Sequence, residues 1–300
     1  MADFGQFRGF GDKLFEGQLP TKLGAIGSNG FLLDFYGNAS AAYSTRKLRF
    51  NYTGSAIRVR RLSDNTEQDI GFNTLGELDS SSLNNFCSGT NGFVTTWYDQ
   101  SGNSRNIVQT TAANQPQIVS GGSILVQNNK PSLRFDGVSD FLQLSSTLDV
   151  NGLSFLYFYT VAQTNNTTLS NENKSIYHFA ETGSWGQVYL SIAQAAMQLR
   201  FGTGQANNTV NATFTASNLL RLLTSYKNNT SDLFDINGNN IVTATGKLGT
   251  LSGNATTFTL GRGNTTVLEC NISEFLIYPI NHSTIKSNVE SNINTYYGIY

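Results

Sequence analysis

The chain has 300 residues, enough for one large domain or two smaller ones and for a sizeable core. Only 13% of them are charged and the formal net charge is −1, so nothing draws the surface to nucleic acid or to an anionic membrane. Aromatics reach 12% among abundant Gly, Asn, Thr and Ser, a composition of strands and turns.

Residues 1–30 differ from the rest. Phe4, Phe7, Phe10, Leu14 and Phe15 recur at roughly helical spacing, but Gly5, Gly9, Gly11 and Gly17 interrupt them. A glycine costs close to ~1 kcal/mol at each helix-interior position, so no autonomous helix is expected. Phenylalanines at this density are foreign to disordered tails. The segment is therefore expected to be an apolar arm that orders against a partner, either another protein of the same assembly or a sister subunit in a homo-oligomer. It has no basic stretch followed by an apolar run, so synthesis without a signal peptide is expected.

From residue 40 the pattern is that of half-buried sheet, and residues 31–300 read as one all-β sandwich domain. In AIRVRR, Ile57 and Val59 alternate with Arg58 and Arg60, which is period two. Strands are predicted in FVTTWY, SLRFDG, FLQLSS, LSFLYFYTVAQ, SIYHFA, QVYLSIA, MQLRFG, RLLTSYK, SDLFDI, NIVTAT, TTFTLGR and NISEFLIY. Asn237-Gly238 between two of them is a strong hairpin signal. The alternation predicts Ile57, Val59, Trp97, Phe135, Phe155 and Phe275 in an antiparallel two-sheet core. Two helices are expected, one near 78–86 with Leu78, Leu83 and Phe86 inward. The other spans about 284–296 after the cap candidate Ser283, and its stripe of Ile285, Val289 and Ile293 would lie as a lid on the sandwich.

The candidate chemical groups are sparse. Cys87 and Cys270 lie far apart with no CxxC partner, which excludes a disulfide framework or zinc site and favours two separate buried thiols. In YDQSGN, Asp99, Ser101 and Asn103 alternate as calcium ligands would. The further acidic positions of such a loop are missing, so a turn is expected, with no metal and no cofactor. Asp136 and Asp140 in RFDGVSDF read as a similar connection. His178 and His282 lie about a hundred residues apart, without a nucleophile elbow. Asp136, Glu181, Glu269 and Glu274 fall in or beside strands, but no local spacing pairs two of them for glycoside hydrolysis. Trp185 and Tyr189, with Gln187 between them, are the candidate glycan-stacking face.

These segments resemble known families. DGVSDFLQLSSTLDVNGLSFLYFYTVAQ, then LFDINGNNI, FTLGRGN and NISEFLIYP, are similar to the concanavalin A-like, laminin-G-like jelly roll. The stretch from AAYSTRKLRF to FVTTWYDQSGN resembles the catalytic part of the α-L-arabinofuranosidase B family, which contains a similar Tyr-Asp-Gln-Ser-Gly-Asn turn. The resemblance implies a jelly-roll sandwich. It also implies two catalytic carboxylates, and these are not carried over. Where the family's acid stands in a Gly-Gly-Asp-Asn loop, this chain has Arg262, Gly263 and Asn264, and Gln187 is the nearest counterpart of the nucleophile. The leader FRGFGDKLFEGQLPTKLG resembles attachment segments of tailed-phage proteins. Together these imply a non-enzymatic phage virion protein (a head fibre, decoration protein or tail-associated adhesin) whose arm docks on other virion proteins and whose lectin-like sandwich binds host glycan. The main alternative is an arabinofuranosidase-like glycoside hydrolase or depolymerase acting on host polysaccharide, and a third reading is an intracellular carbohydrate-binding module without a virion role.

Overall fold

The computed structural model describes residues 39–146, 148, 150, 153–164, 174–180, 188–193, 198–203, 209–213, 219–228, 231–245, 257–263 and 266–300. The fold is an antiparallel β-sandwich, as the alternating pattern requires. One sheet runs through Glu67–Ile70, Ile57–Arg61, Gly92–Trp97, Gln117–Ser120, Leu133–Asp136, Glu269–Tyr278, Phe155–Thr164, Arg221–Asn228, Ser231–Ile236 and Asn239–Thr245. Ala41–Ser44 pairs with Glu269–Tyr278 in line with Leu133–Asp136. The second sheet runs through Ile107–Val108, Leu142–Leu144, Thr257–Leu260, Lys174–Ala180, Val188–Ala193, Gln198–Thr203 and Thr209–Thr213. The sheets join where Trp97 pairs with Ile107.

Between the sheets, inward residues of the first (Ile57, Val59, Trp97, Phe135, Ile272, Phe275) meet Leu142, Ile176, Phe179, Phe258 and Leu260 of the second. Aromatic rings bridge the two layers, with Phe158 on Tyr177 at 4.6 Å and Phe258 on Phe275 at 5.4 Å between centroids. Such pairs contribute about 0.5–1.5 kcal/mol beyond the area they bury. Phe155 departs from the expectation. It opens its strand at the rim and packs, half-buried, against a second apolar cluster on the outer face.

That second cluster explains the nearly continuous burial of Phe155–Thr164 and Glu269–Tyr278, which are covered on both faces. The cover is the helix Lys286–Tyr297, whose Val289, Ile293, Tyr296 and Tyr297 seal against Tyr157, Tyr159, Leu276 and Tyr278, with Ile285 half-buried beside them. The lid is as expected but Ser283 does not cap it. Ile285 holds the cap position without a side-chain bond, and the Asn281 carboxamide accepts from the Ser283 N–H instead. The shorter helix Ser80–Phe86 starts at Asp79, whose carboxylate accepts from Ser82 N–H at 3.0 Å, and it buries Leu83 and Phe86. Cys87 and Cys270 are separate, buried thiols. At the Ser231–Ile236 hairpin, Asn237 and Gly238 both take positive φ (53° and 75°), the geometry a two-residue turn between twisted strands requires.

Candidate active site

The lid covers only part of the outer face. Beyond it, the same face of Ile57–Arg61, Gly92–Trp97, Gln117–Ser120 and Leu133–Asp136 forms the floor of an open cleft of about 540 Å³. Arg60, Phe93, Gln117 and Arg134 stand directly opposite one another in successive strands, so their side chains share that face. Leu62, Asn65, Ala112, Ala113, Gln115, Asp136 and Asp140 complete the lining.

The carboxylates come from a tight turn after Phe135. Asp136 Oδ1 accepts from the backbone N–H of Val138, Ser139 and Asp140 at 2.8, 2.9 and 3.0 Å. Asp140 Oδ2 in return accepts from the Asp136 N–H at 3.0 Å. Gly137 sits between them at φ 73°, with its α-carbon against the backbone of Glu269. Their environments drive the two acids apart. Burial, and then the charge of Asp136, push Asp140 up to about 7. Burial acts in the same sense on Asp136, but the three N–H donors outweigh it and hold Asp136 below the usual carboxylate range. One carboxyl group is thus half-protonated near neutrality while its neighbour is ionised, the division of labour that general-acid chemistry needs.

The cations of the cleft are differently held. Arg60 donates to Gln115 Oε1 at 2.7 Å, Asn65 Oδ1 at 2.8 Å and the Ala112 carbonyl at 3.3 Å, and it lies over the Phe93 ring at 5.1 Å. Arg134 is exposed and, among the described residues, makes no side-chain hydrogen bond or ion pair.

The remaining sequence candidates fall elsewhere. Asp99 is a corner, as its sequence suggests. Its carboxylate accepts from the N–H groups of Ala42, Ser101 and Arg105 and from the Ser101 hydroxyl, a ring of donors that suits an anion and repels a cation. Glu274 is fully buried in a two-pronged pair with Arg46 (2.7 and 2.9 Å) and also accepts from Ser44. His178 is buried beside Tyr189, and burial with nearby Arg262 lowers it to about 4. Burial likewise lowers His282 to about 4, among Tyr157, Tyr159 and Tyr278. Neither imidazole stands in the cleft. Glu269 lies directly across from Asp136 in the ladder, a pairing of residues far apart in sequence that no local spacing reveals. Tyr189 is half-buried on its strand, while Trp185, Gln187, Glu181, Asn264 and the arm residues Phe4, Phe7, Phe10, Leu14 and Phe15 lie outside the described residues.

Residues 35–137 match the family model for the catalytic domain of α-L-arabinofuranosidase B. The match is about one third of the chain, and it ends within the Asp136 turn. Among solved structures, the fold is similar to a GH54 α-L-arabinofuranosidase soaked with a cyclic sulfate inhibitor, with a TM-score of 0.65 and 17% identity. It is similar also to an arabinofuranosidase complexed with arabinofuranosyl-α-1,2-xylobiose, with a TM-score of 0.65 and 16% identity. In both cases 90% of this chain aligns with 65% of the other, so the chain spans a little less than two thirds of those enzymes. The binding domain of Paraclostridial Mosquitocidal Protein 1 aligns over 67% of the chain and 49% of its own length, with a TM-score of 0.50 and 16% identity. No curated protein sequence matches the chain. The match to a catalytic domain, with the arabinofuranosidase likeness of the fold, overturns the expectation of a non-enzymatic virion protein and favours the hydrolase alternative.

Proposed function

We propose that the chain is a glycoside hydrolase of the arabinofuranosidase type, with the outer-face cleft as its active site. The observation that carries this reading is the Asp136–Asp140 pair, two carboxyl groups on one wall of an open cleft with opposed proton affinities. The catalytic-domain match to residues 35–137 supports it. Asp140 is the general acid that protonates the departing glycosidic oxygen as its bond to the anomeric carbon breaks, and a water then bonds to that carbon and returns its proton to the Asp140 carboxylate. Asp136, kept ionised by its backbone donors, supplies the negative charge that an oxocarbenium-like transition state requires. Arg60, Phe93 and Gln117 line the floor on which the sugar chain lies. In this sequence neither position that resembles the family's carboxylates carries one, Arg262-Gly263-Asn264 for the acid and Gln187 for the nucleophile, and the Asp136–Asp140 pair supplies both.

Hydrolysis of a 4-nitrophenyl arabinofuranoside and of arabinan tests the proposal. Asp140→Asn is expected to lower turnover by about 10²–10⁴, the usual contribution of a positioned acid or base, while cooperative melting is kept. Activity in the unmodified chain should fall as pH rises through about 7, where Asp140 loses its proton. A folded chain with no turnover, or turnover untouched by both Asp136→Asn and Asp140→Asn, would overturn the proposal.

A further inference from the structure

The cleft floor carries a charge pattern that a neutral arabinan does not call for. Arg60, Phe93, Gln117 and Arg134 form one cross-strand row, and at its inner end it continues into Asn271 and Gln163. Adjacent strands lie ~4.8 Å apart, so the α-carbons of Arg60 and Arg134 are separated by about 14 Å along the floor. The two inner members bond to each other, Asn271 Nδ2 donating to Gln163 Oε1 at 3.1 Å, and both are buried, which closes that end. Arg60 meets only neutral acceptors and the Phe93 ring, and Arg134 has no ion-pair partner among the described residues. With Asp136 ionised and Asp140 only half-protonated near neutrality, the two guanidinium groups still outweigh the carboxylates and the lining carries a small net positive charge.

We infer that the cleft takes an acidic polysaccharide whose uronate carboxylates engage Arg134 and Arg60 on separate sugar units, with Phe93 stacked beneath the sugar between them. This rests on the cleft being the active site, and it names the substrate class that site would accept. The exposed, planar guanidinium of Arg134, with no hydrogen-bonded partner among the described residues, suits two-pronged capture of a carboxylate. With their backbones three strands apart, the two arginines are better spanned by a polymer than by one small acid. Arg60, held by three neutral acceptors, is already oriented and loses little freedom on binding.

Affinity electrophoresis of the full chain tests the inference with polygalacturonate, its fully methyl-esterified form, arabinan and monomeric galacturonate as probes. Retention by polygalacturonate is expected, with at least about tenfold weaker retention by the ester and by arabinan, and little competition from the monomer. Arg134→Gln, at an exposed position that does not threaten the fold, should weaken retention about tenfold, and Arg134→Lys should restore part of it. Equal retention by acid and ester, or retention indifferent to Arg134→Gln, would overturn the inference, and so would no retention at all. The two readings fail separately. Retention by polygalacturonate without any glycoside cleavage leaves this inference standing and sinks the hydrolase, and arabinofuranoside cleavage with equal retention by acid and ester does the reverse.

Discussion

The outer face of the first sheet is used in two ways. Under the helix Lys286–Tyr297 Arg46 is sealed and matched, locked on Glu274, bonded to Asn292 and lying over the Tyr296 ring at 4.9 Å. Lys286 contacts both Asp235 and Glu290 at the edge of the same lid. A few strands away, in the cleft, Arg134 makes no close ion pair among the described residues and acts on Asp136 and Asp140 only at longer range, while backbone donors hold that pair directly. The same face and the same residue types thus give a closed support and an open reactive surface. The difference is whether a helix covers them. Neutralised charge under the lid serves the fold, and charge left over in the cleft is available to a ligand.

The sealed side should therefore fail by unfolding and the open side by losing activity. The largest effect is expected at Glu274. Burial opposes the Arg46 charge, but Glu274 outweighs it and holds the guanidinium more firmly protonated than usual. Glu274→Ala leaves that cation buried and alone, at a cost of about 3–5 kcal/mol. Urea unfolding should show the midpoint fall by that equivalent, while turnover well below the midpoint stays near that of the unmodified chain. A variant with normal stability and lost turnover would place Glu274 in the chemistry and erase the contrast.

Gly137→Ala comes next. At φ 73° an added Cβ is disfavoured by about 1–2 kcal/mol, and it would also stand 2.8 Å from the Glu269 nitrogen. The turn that sets Asp136 against Asp140 must open, so both stability and turnover should drop, whereas Glu274→Ala touches stability alone. Unchanged turnover would show that the turn does not position the acids.

How much of this could be read from the chain depends on the distance over which the information is written. Period-two alternation within single strands placed Ile57, Val59, Trp97, Phe135 and Phe275 in the core, and Asn237-Gly238 gave its hairpin. Phe155 fell outside the inter-sheet core because its strand is covered on both faces: alternation puts it with Tyr157, Tyr159 and Val161 but does not say which face meets the second sheet. Ser283 carried the composition of a cap, but Asn281 and the His282 carbonyl, which accepts from Ile285 and Lys286 N–H, take over the turn before the helix. Asp136 and Asp140 were legible as a turn and not as a site. Their neighbours Arg60, Phe93 and Gln117 reach them only through the register of four strands, which no local pattern encodes. The nearest sequence signal was Arg134 two residues before Asp136, which period two puts on the same face.

A smaller effect concerns pH. Asp140 is raised to about 7 in the folded chain, against an ordinary carboxylate value near 4 when unfolded. The folded state then holds the extra proton between those values, so the stabilisation is complete below about pH 4 and lost as pH rises through about 7. The melting temperature of the unmodified chain should decline over that window, and Asp140→Asn should flatten the decline. A decline of equal slope in the variant would assign it to other groups.

The smallest effect tests the same comparison on a third surface. Arg58 meets Glu67 at 2.7 Å and Asp69 at 3.2 Å, the pairing chemistry of Arg46 and Glu274, but all three side chains are roughly 40% exposed. Water and salt screen the attraction, and fixing three long side chains costs entropy that offsets much of the remainder. Arg58→Ala is expected to shift stability by less than about 1 kcal/mol, and the shift should shrink further in molar salt, where Glu274→Ala keeps its full effect. Both measurements follow from a single urea titration of each variant at low and high salt. If the exposed and the buried arginine proved equally costly to lose, coverage by the lid helix would not be what separates the two halves of the face.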